Sequence, residues 1–168
     1  MDKFIITEGN ADTIIITSIG FKKNFERVGP LGDVIKRLDK IPINELGIGF
    51  IDYDKKSKGK RENKEYTEII KSAHSGTLVL KKKPNTKNYL IRHTNLEKWL
   101  EEMANEFGID KAKYGVSDLI TNPNRYKKQE VLENEGFKNF VSALAQKKDS
   151  PLQTVKNWIE DLKKENGL

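Results

Sequence analysis

Asp52 and Asp54 close the run Gly47-Ile48-Gly49-Phe50-Ile51-Asp52-Tyr53-Asp54, in which a short apolar stretch that predicts a buried strand ends in two carboxylates. Strand side chains alternate between faces, so residues two apart point the same way. At about 3.3 Å per residue the two acids stand roughly 6.5 Å apart, close enough for their oxygens to converge on one hard cation such as Mg²⁺ or Mn²⁺. A buried sheet gains nothing from adjacent carboxylates, which repel and resist desolvation unless the strand end opens to water or a metal. A second acid, Glu8, ends the apolar run Phe4-Ile5-Ile6-Thr7, with Gly9, Asn10 and Asp12 following. Ligands of open α/β sheets bind outside the carboxyl ends of the strands, so Glu8, Asp52 and Asp54 share one crevice if the two strands are parallel neighbours. Asp12 has a structural reading as an acid in a first helical turn, facing the helix dipole, and a functional one as a further metal ligand.

Those strands need a sheet around them. Residues 3–7 predict a strand and Gly9-Asn10 a turn into a helix over 11–19, although Thr13-Ile14-Ile15-Ile16-Thr17 is β-branched and favours strand locally. A strand at 25–28 and an amphipathic helix at 31–40 lead into the strand at 47–53. The lysine-rich 55–64 reads as a loop. Tyr66, Ile69, Ile70 and Ala73 have helical spacing and predict a helix over 65–74. Strands at 77–80 and 89–91 flank the turn Lys83-Pro84-Asn85-Thr86. From 94 onward the chain reads as helical: Leu96, Trp99, Leu100, Met103 and Phe107 form one stripe, Phe137, Phe140, Val141 and Leu144 another. Ser150-Pro151 opens a last helix with Leu152, Val155, Ile159 and Leu162 inward. Residues 114–133 read as loop or short irregular helix. Alternating β and α elements argue for a largely parallel sheet covered by helices, here an α/β core at 1–93 with a helical extension at 94–168 packed on it.

Composition narrows the chemistry. The 168 residues contain no cysteine and two histidines, which excludes disulfides, thiolate catalysis and cysteine-held zinc; any metal site is carboxylate-based. No apolar run is long enough to cross a bilayer, and Met1-Asp2-Lys3-Phe4 has none of the features of a targeting segment, so a cytoplasmic protein with no membrane contact is expected. The net charge of +6 suits a polyanionic partner, DNA or RNA. Lys55, Lys56, Lys58, Lys60 and Arg61 follow the acidic pair at once and are the expected contacts to phosphates; a solvated loop is the bland alternative. His74 and His93 read as a helix end and a strand end without metal-ligand spacing. Thr94-Asn95-Leu96-Glu97 reads as a capping box, and Trp99 as core.

A strand ending in Glu-Gly with an aspartate shortly after, a β-α unit, and a strand ending in Asp-x-Asp resemble the TOPRIM domain of topoisomerases, primases, recombination mediators and nucleases related to phage-exclusion proteins. The resemblance covers residues 3–91, on Glu8, Asp52 and Asp54, with Gly9 and Asp12 in weaker agreement. The strand at 89–91 running into Leu96-Glu97-Lys98-Trp99-Leu100 is similar to small TOPRIM-like proteins with a Leu-Glu-x-Trp helix there. It departs in placing Lys55-Lys56-Ser57-Lys58 where many members have a glycine. The resemblance implies a Rossmann-like fold and a Mg²⁺-dependent activity on nucleic-acid phosphodiesters, as in a small defence or mobile-element nuclease. Asp52 and Asp54 would bind the cation, and Glu8 would move a proton or bind a second ion. Two rivals stand beside it: a TOPRIM-shaped module that binds nucleic acid or a protein partner without turnover, and a receiver-like phosphoacceptor domain. Against the latter, the first strand ends in one acid followed by Gly-Asn rather than in adjacent acids.

Overall fold

The computed structural model describes residues 3–22, 26–27, 31–52, 60–72, 78–122 and 129–168. Within them six strands form one sheet: β1 (Ile5–Thr7), β2 (Glu26–Arg27), β3 (Gly47–Asp52), β4 (Thr67–Lys71), β5 (Leu78–Lys82) and β6 (Asn88–His93), in the spatial order β2-β1-β3-β6-β5-β4. The first four in that order are mutually parallel, and β5 and β4 add on antiparallel. The fold is thus α/β with a mixed sheet and C-terminal helices. From β1 the chain steps outward to β2, then crosses back to β3 on the other side. The strand order reverses between β1 and β3, which makes their carboxyl ends the topological switch point where such sheets hold ligands.

Helix α1 (Asn10–Ser18) forms against its local propensity. The Asp12 carboxylate accepts from the Gly9 amide at 2.9 Å, while the Thr13 and Thr17 hydroxyls donate to the carbonyls of Gly9 and Thr13 one turn back. Ile14, Ile15 and Ile16 are all buried, so tertiary burial on several sides of the helix outweighs the cost of a β-branched run. Gly20, at φ +103°, ends it. On the other face α2 (Leu31–Leu38) lies directly on β3: a Cβ at Gly49 would come within 2.8 Å of the Val34 side chain, and one at Gly47 within 3.0 Å of Leu38.

Each face of the sheet has its own core. Ile6, Val34, Ile35, Leu38, Ile51, Tyr66 and Leu90 pack together on the α2 side. Ile5, Ile48, Phe50 and Ile91 face the larger cluster, with α1 and with α4 (Leu96–Glu106), α5 (Ser117–Thr121), α6 (Glu135–Gln146) and α7 (Pro151–Glu165). Residues after 94 thereby share one hydrophobic core with the sheet. The Ser150 side chain caps α7, with Pro151 in its first turn, as expected.

Two expectations fail between β3 and β5. Residues 67–71 are strand β4, not part of a helix over 65–74, and the expected loop over 55–64 is helical from Lys60 onward as α3 (Lys60–Glu65). The pairing of β4 with β5 shifts register between Glu68 and Ile70. That bulge inserts one residue, sets Ile69 and Ile70 side by side in sequence, and so imitates a helical apolar spacing.

Candidate functional site

At the switch point the ends of β1, β3 and β6 come level. Thr7 pairs with Phe50, and Asp52 pairs with His93. The Glu8 carboxylate, just past β1, accepts from the Asp52 amide at 3.1 Å, so Glu8 and Asp52 share one edge as the parallel pairing requires. Alternation along β3 turns Phe50 and Asp52 toward the α1 and α4 side, and alternation along β6 turns Ile91 and His93 the same way.

His93, fully buried, organises this edge. Its Nδ1 lies 2.7 Å from the Thr94 carbonyl and its Nε2 lies 3.0 Å from Asp12 Oδ1. A carbonyl only accepts, and so does Asp12 when ionised, so with that carboxylate charged both ring nitrogens donate, as in an imidazolium. It stacks on Trp99 at 4.9 Å between centroids with 5° between planes, and meets Phe50 at 4.8 Å, faces that favour a cation. Burial alone would lower the His93 pKa; the Asp12 hydrogen bond, the charges of Asp12 and Asp52 and the Thr94 carbonyl outweigh it and raise it.

The acids are less well served. Burial, then the charges of Asp12 and Asp52, push the Glu8 carboxyl up to about 7 against the Asp52 amide and His93. Burial also pushes Asp52 up to about 6, with Asp12 and Glu97 adding to the rise, while His93 and the Leu96 amide at the start of α4 oppose it. Asp52 Oδ1 is buried and has no hydrogen-bond partner among the described residues; His93 Nδ1 lies 3.8 Å from it. Among the described residues this edge holds more carboxylate than countercharge. Such an arrangement takes up protons near neutral pH or takes a cation.

Asp12, expected as a metal ligand, has both oxygens in use: one caps α1 through Gly9 and the other holds His93. Among the described residues no three acid or histidine side chains are disposed around one ion. Two carboxylates, Glu8 and Asp52, are still a fitting donor set for Mg²⁺, which keeps several waters and commonly takes one or two carboxylates with substrate phosphates; the unpartnered Oδ1 of Asp52 supports the fit. Asp54, Lys55, Lys56, Lys58 and His74 lie outside the described residues, and Lys60 and Arg61 open α3. The cap of α4 is Asn95, which accepts from the Lys98 amide at 3.1 Å, rather than Thr94 with Glu97. Glu97 instead adds its charge to Asp52.

His93 is the site residue that sequence reading passed over. Its partner Asp12 is 81 positions away, and only the alignment of two apolar runs, each ending in a polar residue, pointed toward it. The chain matches no family model, no curated protein and no solved structure.

Proposed function

We propose that the chain is a divalent-cation-dependent, TOPRIM-like protein acting on nucleic-acid phosphodiesters, with the carboxyl edge of β1, β3 and β6 as its site. The observation that carries the reading is the convergence of Glu8 and Asp52 at the switch point, 3.1 Å from carboxylate to amide, with one buried carboxylate oxygen left unpartnered. Asp52 and Glu8 hold Mg²⁺ or Mn²⁺, with Asp54 joining them on the strength of the sequence spacing. A bound cation supplies charge stabilisation to the oxygens of a phosphodiester.

The chain's own residues do the rest. Glu8, with its carboxyl near 7, can take and return a proton at neutral pH. His93 sets the carboxylate edge against α1 and α4 and keeps the two helix starts in place through Asp12 and Thr94. Lys55, Lys56, Lys58, Lys60 and Arg61 follow the acidic edge in sequence and supply sequence-independent phosphate contacts.

The test is nicking of supercoiled plasmid with Mn²⁺ at low salt by the wild type, Asp52→Asn and Glu8→Gln, all checked for folding by circular dichroism. Nicking by the wild type and a loss of about 10²-fold or more in both variants is expected. A wild type that neither nicks nor binds DNA or RNA at low salt, where phosphate contacts are strongest, removes the reading.

A further inference from the structure

We propose that β4 is the interface of a symmetric homodimer, two copies pairing antiparallel along their β4 edges into one continuous sheet. The strand is the outer edge of the sheet, and all five of its residues are exposed. Its neighbour β5 is buried from Leu78 to Lys81. Ile69 is 50% and Ile70 43% exposed, so two of the four large exposed apolar side chains among the described residues stand next to each other on this edge. Long, bare, apolar edges invite pairing with another chain.

The sequence of the strand says which chain. Thr67-Glu68-Ile69-Ile70-Lys71 is self-complementary about a two-fold axis between Ile69 and Ile70: Glu68 of each copy falls opposite Lys71 of the other. In a regular strand, residues three apart point to opposite faces, and such partners could not meet. Here the bulge corrects the parity. Glu68 pairs with Lys81 and Lys71 with Val79, two positions on the same face of β5, so Glu68 and Lys71 also share a face. A two-fold axis perpendicular to the sheet keeps faces, and it therefore brings two opposite-charge cross-strand pairs together.

The backbone agrees. The Ser72 amide donates to the Leu78 carbonyl. By the alternation of an antiparallel ladder, Leu80 then faces β4 as well, and the residues opposite Val79 and Lys81 direct their N–H and C=O groups away from β5. Those residues are Lys71 and Glu68, the two that would pair. Lysines and bulges also serve to discourage edge pairing, but here the lysine has its complement on the same edge, and the bulge aligns the two. On the other edge, β2 has two described residues in strand conformation, Glu26 and Arg27.

One five-residue strand pair is small against the 1,200 Å² or so of a stable interface, so the association is reversible and salt-sensitive. Sedimentation equilibrium of the full chain at low salt, from about 10 µM to 1 mM, reads it directly. The wild type is expected to pass from monomer to dimer in that range. Glu68→Lys, which sets lysine against lysine twice, should weaken the dimer at least about tenfold. Lys71→Glu should weaken it similarly although it lowers the net positive charge by two. The double exchange Glu68→Lys/Lys71→Glu should restore it to within about threefold. Both positions are exposed, so the variants fold, which circular dichroism checks. A wild type monomeric throughout, a dimer indifferent to Glu68→Lys, a dimer strengthened by Lys71→Glu, or a double exchange that fails to restore association would each overturn the proposal. None of these outcomes bears on the carboxylate edge.

Discussion

Two clusters of buried charge lie on opposite sides of the same sheet and are built on opposite terms. On the α3 side Glu62, 2% exposed, accepts from Lys81 at 2.8 Å and Arg92 at 3.2 Å. One buried carboxylate there serves two cations, and the cluster clamps α3 to β5 and β6. On the α1 and α4 side, among the described residues, Glu8, Asp12 and Asp52 surround His93; burial and the charges of Asp12 and Asp52 push Glu8 toward its neutral form, and burial with Asp12 and Glu97 does the same to Asp52. In the first cluster the carboxylate has two cationic partners. In the second, among the described residues, three carboxylates share one histidine. A buried carboxylate held by cations from two strands fixes a helix on the sheet, whereas the surplus of carboxylate at the switch point is what we propose as a cation site.

Breaking the Glu62 cluster should have the larger effect. Glu62→Ala leaves two buried or half-buried cations without their shared carboxylate, and urea unfolding should show a loss of about 3–5 kcal/mol. A loss below about 1 kcal/mol would mean that Glu62 is not the element holding α3 in place.

Relieving the unbalanced cluster should act in the other direction, and only at the higher pH. A carboxyl raised from 4.5 to about 7 binds more protons in the folded chain than in the unfolded one between those values, so stability falls as pH rises through that window. Asp52, raised to about 6, acts in the same sense. His93 adds to it: a raised histidine contributes stability that is fully present below its unfolded value near 6.5 and is lost as pH climbs through its higher folded value. Wild-type stability should therefore decline from about pH 5 to pH 8. Glu8→Gln, which keeps an acceptor for the Asp52 amide, should raise stability at pH 8 by on the order of 2 kcal/mol after allowance for partial exposure. It should change little at pH 4. Equal effects at both values would show that Glu8 carries no protonation cost.

How much of this was visible in the residues follows from the range of the interactions. The apolar run at 47–51 and its terminal acid announce β3 and the direction of Asp52, because alternation along a strand is local. The β-branched 13–17 segment is a helix because burial and two threonine back-bonds act where propensity alone would mislead. Residues 67–71 were hidden by their bulge, which replaced the period of a strand with adjacent isoleucines. His93 was hidden for a different reason: its meaning comes from Asp12, Asp52 and Trp99, which the chain brings to it from three separate elements. The Glu62 cluster cannot be told from a solvated surface until the sheet is assembled, since Glu62, Lys81 and Arg92 are ordinary letters in a lysine-rich sequence.

The claim that the surplus carboxylates form a cation site is tested most directly by calorimetric titration of Mn²⁺ into the wild type and Asp52→Asn, in two buffers of different ionisation enthalpy. At pH 6.5 a cation held by Glu8 and Asp52 must displace the protons those raised carboxyls retain. The expected result is saturable binding with about one proton released per ion at pH 6.5, none at pH 9, and binding weakened at least about tenfold in Asp52→Asn. Binding that releases no proton at pH 6.5, or that is unchanged in Asp52→Asn, would contradict it.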